Sequence, residues 1–332
     1  MQCKQPWPQV TALWCAIIVV RFFLWPTPPL TVLPLEEIND NVQVVTCSTS
    51  PLKNPFDFTD NACKKEKKWR GFGWKMKKLQ EYIYKHGDNS TIFVLVDGFD
   101  SFVNRNAFAY EFAAKWKHLQ ADVVVAGEEA CFAVRDCTAE MVKTLYPNLV
   151  KTKAAFVNSP MAGYGWALKE LLARLIAYTG SIDSFDDQLA ITQMVTAKNI
   201  AVPKNIRIVH DTTQTFFGSF VHLRKYARGQ NIHRKVFKIK TPRYTCVDNG
   251  KLHIFGCIDV GTKSKTYESL LLLDGTEYVV EPNCDITRLH SPLSANPVFW
   301  HGNGPGIHSF AALQQMRLQC LHRGEIPKKD IS

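Results

Sequence analysis

No two cysteines in this 332-residue chain form a C-x-x-C pair, which removes the usual ligand spacing of a zinc ribbon. Internal repeats and low-complexity tracts are also missing, so neither a repeat array nor a compositionally biased linker is indicated. The formal charge of +10 comes without a recognition helix or an aromatic RNA-binding strand pattern, so nucleic acid is not an expected partner. Much of that charge sits in Lys64, Lys65, Lys67, Lys68, Arg70, Lys75, Lys77 and Lys78. It reads as a solvated loop leading into a polar helix face, with a basic rim beside an anionic ligand as the alternative. Long apolar runs are scarce. The nearest, Val10–Leu24, is interrupted by Thr11 and Arg21 and falls short of the ~20 residues that a spanning helix prefers.

What is present favours a folded body behind a short N-terminal device. Hydrophobic residues make up 46% and aromatic residues 11% of the chain, enough for a large core. Residues 1–25 read as a cytoplasmic tail and signal anchor, with Arg21 snorkelling to the interface; a cleaved signal peptide and a buried helix are the alternatives. Residues 26–41, rich in proline and then acidic residues, read as a stem. The expected topology is single-pass type II in the endoplasmic reticulum or Golgi membrane, with the body lumenal. Cys3 and Cys15 fall in or beside the anchor, and the other eight cysteines suit lumenal disulfides. Cys131–Cys137 is the pairing expected first. Asn89-Ser90-Thr91 is a glycosylation sequon.

Along the body, apolar runs at Val42–Cys47, Thr91–Val96, Ala121–Ala126 and Ile206–Val209 predict buried strands. Helical spacing predicts helices over Lys75–Lys85, Ala107–Leu119, Trp166–Tyr178 and Asp183–Ala197. Alternating strand and helix point to an α/β fold with a mainly parallel, Rossmann-like sheet covered on both faces. Ligands then gather beyond the carboxyl ends of the strands, where Thr46, Asp97, Asp100 and Glu128 would project. Short apolar runs at Val236–Ile239, Leu252–Cys257, Leu270–Leu273 and Tyr278–Val280 suggest a β-rich insertion at about residues 230–290. Asp274-Gly275 is a hairpin signal between two of them. Val298–Trp300 would return to the main sheet, and residues 313–332 read as a C-terminal tail.

Two acidic residues three apart, Asp97-Gly98-Phe99-Asp100, end the second strand run, and His301-Gly302-Asn303-Gly304-Pro305 looks like a histidine in a glycine-rich turn. Two carboxylates and an imidazole can hold one divalent cation and leave positions free for diphosphate oxygens. Taken singly, each is better explained as a turn cap or a solvated loop, and Asp186-Asp187-Gln188 as a helix N-terminus. Their order along the chain carries more information.

From about Val42 to Ile307 the chain resembles the glycosyltransferase domain of procollagen lysyl hydroxylases and the related procollagen galactosyltransferases, a GT-A type fold. The resemblance rests on Val44-Val45-Thr46, Trp69-Arg70-Gly71, Lys75, Asp97-x-x-Asp100 and Ala126-x-Glu128-x-x-Cys131. Tyr146-Pro147, Phe156-Val157-Asn158-Ser159, Asp186-Asp187-Gln188 and His301-Gly302-Asn303-Gly304-Pro305 follow in the family's order. It implies that Asp97, Asp100 and His301 bind Mn2+, which bridges the phosphates of a UDP-sugar donor. Thr46, Trp69 and Phe99 would surround uridine, with Lys75 near enough to assist. Asn158, Asp186, Asp187 and Gln188 would line the sugar and acceptor side, with Gly302 in the donor pocket. If transfer inverts the anomeric centre, Asp186 or Asp187 would take the acceptor proton.

Three positions depart from the family: Phe99 replaces tyrosine, Phe132-Ala133 replaces Trp-Pro, and Pro160-Met161 replaces Gly-Gly, a change expected to stiffen a turn around the sugar. The implied activity is transfer of galactose or glucose from UDP to a hydroxyl on a protein or glycan acceptor. A non-catalytic lumenal binding or scaffold protein of the same fold is the alternative. A homodimer is compatible with the sequence. Nothing after Ile307 is long enough to supply the iron-dependent hydroxylase region of the bifunctional relatives, so lysine hydroxylation is not expected.

Overall fold

The computed structural model describes residues 41–52, 55–128, 144, 154–179, 186–197, 200–220, 245–248, 251–254, 269–271, 276–302 and 307–325. The expected anchor, the stem up to residue 40, Val236–Ile239, the Cys131–Cys137 pairing, Tyr146-Pro147 and the Asp274-Gly275 turn lie outside these residues. Among the described residues, no helix is long and apolar enough to cross a membrane. The chain divides into two compact units, Leu33–Cys320 and a second formed by Met1–Val32 with Leu321–Ser332. The first carries the fold and the site. Of the second, only Leu321–Glu325 is described, as the end of a helix.

In chain order the elements are β1 (Val42–Thr46), β2 (Asp60–Asn61), α1 (Phe72–His86), β3 (Ile92–Leu95) and β4 (Ser101–Val103). A π-turn at Ala107–Glu111 leads into α2 (Phe112–Leu119), followed by β5 (Val123–Glu128), β6 (Phe156–Tyr164), α3 (Gly165–Thr179) and α4 (Asp187–Thr192). Then come β7 (Ile208–Asp211), β8 (Phe217–Ser219), β9 (Thr245–Asp248), β10 (Lys251–Ile254), β11 (Ser269–Leu271), β12 (Glu277–Val280), β13 (Ile286–Leu289), β14 (Phe299–His301) and α5 (Ile307–Glu325).

The main sheet has six strands in the order β2-β1-β3-β6-β5-β7. Its valine-rich strands alternate faces with the period of two that extended backbone imposes. Val45, Leu95, Val125 and Met161 pack with Trp74, Leu79 and Ile83 of α1 and Leu168 and Leu171 of α3. Val44, Val94, Val124 and Ala162 turn the other way, onto Phe108, Phe112, Trp116, Phe216 and Phe299. Both faces are therefore dry, which explains why β1, β3 and β5 read as continuous apolar runs.

The expectation of a mainly parallel sheet is met in five of the six strands, with one strand reversed. Pairs β2–β1, β1–β3 and β5–β7 are parallel, but β6 runs antiparallel to both β3 and β5. The family resemblance implies a turn at Asn158–Met161, stiffened by Pro160. That segment is a strand with a bulge. Val125 pairs with Met161 and Gly127 with Val157, so Asn158, Ser159 and Pro160 stand opposite Ala126 alone. A bulge leaves residues outside the ladder, and there the missing N–H of Pro160 breaks no sheet hydrogen bond.

A correction concerns His301. The run before it does not return to the main sheet. Strand β14 forms a separate three-stranded sheet, antiparallel to β4 and parallel to β8, and His301 is its buried last residue, not part of an open turn. The five strands β13-β12-β11-β10-β9 form a third sheet; β11 and β12 pair antiparallel, with Leu271 opposite Glu277.

Residues 313–325, within the stretch expected as a tail, lie in helix α5. Helix α5 buries Phe310, Leu313 and Met316 against Phe102 and Trp300, and Arg317 makes a bidentate pair with buried Asp57 at 2.8 and 2.9 Å. Disulfides link Cys47 to Cys63 and Cys284 to Cys320. Their separations of 16 and 36 residues correspond, on a chain-entropy account, to about 3 and about 4 kcal/mol.

Candidate functional site

Register brings the histidine to the aspartates. His301 pairs with Ser101 across β14 and β4, and Gly302 N–H donates to the Asp100 carbonyl at 2.7 Å. Residues two hundred apart in sequence are thereby locked side by side. Helix α5 presses on this point from outside: a Cβ on Gly302 would stand 2.5 Å from Phe310 Cβ, so only glycine fits.

Asp97, Asp100 and His301 form a group whose ligand atoms all lie within 4.8 Å of one another. His301 Nε2 is 3.4 Å from Asp97 Oδ2 and 3.5 Å from Asp100 Oδ1. Those lengths are too long for good hydrogen bonds, and both Asp100 Oδ1 and His301 Nε2 are buried without a hydrogen-bond partner. Buried polar atoms left unpaired are costly, and a cation shared by the three would satisfy them. Two carboxylates and an imidazole also suit an oxygen-preferring divalent ion. The residues fit a metal.

The charges act on one another at close range. Burial opposes charge on the His301 imidazole, but Asp100 and then Asp97 outweigh it and push it up to about 10. For Asp97, burial works against ionisation, while Lys75 and then His301 hold its carboxyl well below the usual range.

Other residues expected at the site separate into distinct environments. Lys75, in the first turn of α1, is buried and bridges two carboxylates: its Nζ lies 2.8 Å from Asp97 Oδ1 and 2.8 Å from Asp187 Oδ2. Thr46 is fully buried at the end of β1, and its Oγ1 has no hydrogen-bond partner. Trp69 and Phe99 are exposed; Trp69 packs edge-on against Phe72 and Trp74. Asp186 caps α4 by accepting the Leu189 N–H at 3.0 Å. Burial pushes its carboxyl above the ordinary value despite that bond. Asp187 is buried beside Lys75.

Two residues expected on the sugar side are buried and hydrogen-bonded within the protein. Gln188 is buried and donates to Glu128 and to the Val157 carbonyl at 2.6 Å, tying α4 to β5 and β6. Asn158 is buried behind the histidine, its Nδ2 2.9 Å from His301 Nδ1. Sequence reasoning missed Ser159, whose Oγ donates to Asp97 Oδ2 at 3.3 Å. Its neighbour in the Asn-Ser pair was the available signal, since a bulge delivers adjacent side chains to one place.

No curated protein matches the chain. Residues 59–243 match the family model described as the PLOD GT domain. That stretch contains Lys75, Asp97, Asp100, Asn158 and Asp186–Gln188; His301 lies beyond it and joins them through β14. With more than half of its length matched, the chain belongs to the family of PLOD glycosyltransferase domains.

Proposed function

We propose that the protein is a Mn2+-dependent glycosyltransferase of GT-A type that moves galactose or glucose from a UDP-sugar to a hydroxyl on a protein or glycan acceptor. The observation that carries this reading is the convergence of Asp97, Asp100 and His301, with two of their buried ligand atoms unpartnered. When bound, the cation would act as a Lewis acid that stabilises the departing UDP. The protein's own residues supply the rest. Asp97, Asp100 and His301 would hold the ion, while the exposed rings of Trp69 and Phe99 offer stacking faces for uridine. Thr46 Oγ1 is an unpaired hydroxyl at the end of β1.

Should transfer invert, Asp186 is the better proton acceptor. It has no ion pair among the described residues, and its raised affinity for a proton suits a base. Asp187 is neutralised by Lys75. Pro160, the departure that favoured a non-catalytic scaffold, sits in a bulge and leaves the cluster assembled.

The lumenal, membrane-anchored setting belongs to the same proposal. Two disulfides and an exposed Asn89 in its sequon support it. The test is a panel of UDP-sugars incubated with protein and Mn2+, reading UDP release. One hexose donor should be turned over only with metal; binding of UDP with no metal-dependent release from any donor would favour the scaffold.

A further inference from the structure

Lys75 is only 7% exposed, and its ammonium is divided between two carboxylates. The three partners come from separate elements: the first turn of α1, the loop after β3 and the first turn of α4. Nζ stands 2.8 Å from Asp97 Oδ1 and 2.8 Å from Asp187 Oδ2. A fixed cation against Asp97 competes with any divalent ion for that carboxylate. Burial prevents Lys75 from escaping to water, since an unpaired buried charge is strongly unfavourable. Its grip on Asp97 therefore depends on how much of the ammonium Asp187 holds. Asp187 is itself fixed, with Oδ1 accepting the Gln188 N–H at 2.9 Å and Gln188 anchored to β6.

We propose that Asp187 is a positioning residue, which draws Lys75 partly off Asp97 and so sets the affinity of the Asp97–Asp100–His301 cluster for a divalent cation. Proton transfer, where the reaction needs it, is then left to Asp186. The inference rests on the reading of that cluster as the cation site. It assigns Asp187 a function that a general base would not have: metal affinity in the absence of donor and acceptor.

The experiment is a titration with Mn2+ alone, followed by electron paramagnetic resonance of the free ion, on the full chain. Four proteins are compared: the wild type, Asp187→Asn, Lys75→Met and the double variant. Asp187→Asn releases Lys75 wholly onto Asp97 and should weaken Mn2+ binding by about tenfold, within the range for residues that orient metal ligands. The double variant removes both members of the pair and should bind Mn2+ at least as tightly as the wild type. All four are checked by thermal melting, and Lys75→Met is the baseline against which the double variant shows the effect of removing Asp187 without the lysine. If Asp187 acted only through its negative charge, its removal would weaken binding equally in the Lys75→Met background. A double variant as weak as Asp187→Asn, or an Asp187→Asn protein that binds like the wild type, overturns the proposal. A wild type that binds no Mn2+ overturns the cation site itself, and is recognised by failing before any variant is compared.

Discussion

Replacing Asn158 with alanine tests how the histidine is aimed. Asn158 Nδ2 lies 2.9 Å from His301 Nδ1, with both residues buried, and its Oδ1 accepts the Ser159 N–H at 2.8 Å. Alanine would leave a buried imidazole nitrogen without this partner, at a cost of about 1–3 kcal/mol. Loss of the group that orients a ligating histidine typically lowers metal affinity roughly 10–100-fold. We therefore expect Asn158→Ala to bind Mn2+ at least tenfold more weakly, with a small loss in melting temperature.

The aspartate variant should behave differently. Coordination through Nε2 requires the proton on Nδ1, which needs an acceptor. The amide must turn its oxygen toward the ring to provide one, giving up the bond to Ser159. A carboxylate offers an acceptor in either orientation, so Asn158→Asp should bind Mn2+ as tightly as the wild type or more tightly. The assay is Mn2+ titration by paramagnetic resonance beside thermal melts. An alanine variant with unchanged Mn2+ affinity would refute the argument, as would an aspartate variant as weak as alanine.

Three further outcomes are expected. Asp100→Ala should abolish Mn2+-dependent UDP release while its melt stays close to wild type, because the side chain is only partly buried and its Oδ1 is unpaired in the free protein; retained turnover would remove Asp100 from the site. The His301 imidazole is raised from 6.5 to about 10, so in metal-free protein its stabilising contribution is full below pH 6.5 and is lost as pH rises through about 10. Asp97 is depressed instead, so its contribution is present above 3.8 and is lost as pH falls below that. Because Mn2+ must displace the His301 proton, its affinity should climb with pH between those imidazole values; titrations that stay flat over this window would count against the coupling. Finally, protein made through a secretory route should carry glycan on the exposed Asn89, seen as a mass shift that Asn89→Gln removes; an unmodified, well-folded product would argue against a lumenal body.

The sequence made some of this architecture legible and hid the rest for physical reasons. Strands β1, β3 and β5 announced themselves because both faces are buried, leaving no polar alternation to confuse the pattern. Helices α1 and α3 carried a clear apolar stripe. Strand β6 was hidden, since Pro160 and the polar pair Asn158-Ser159 mark a turn anywhere except inside a bulge. The length of α5 was missed because Arg317, Gln314 and neighbouring polar residues look solvated, yet Arg317 is buried against Asp57.

At the site, the order of Asp97, Asp100 and His301 was readable but their meeting was not. It depends on the β4–β14 register and on the seat that Gly302 leaves for Phe310. The Lys75–Asp187 pair had no local signature at all, because an ion pair between two distant helices leaves no spacing to detect.

The most direct measurement is a crystal of the protein grown with Mn2+ and UDP, with anomalous scattering recorded at the manganese edge. The account predicts one strong peak within coordinating distance, about 2.0–2.6 Å for a hard divalent ion, of Asp97, Asp100 and His301, with both UDP phosphates reaching the same ion. A peak elsewhere, or UDP bound with no anomalous signal between these three side chains, would contradict it.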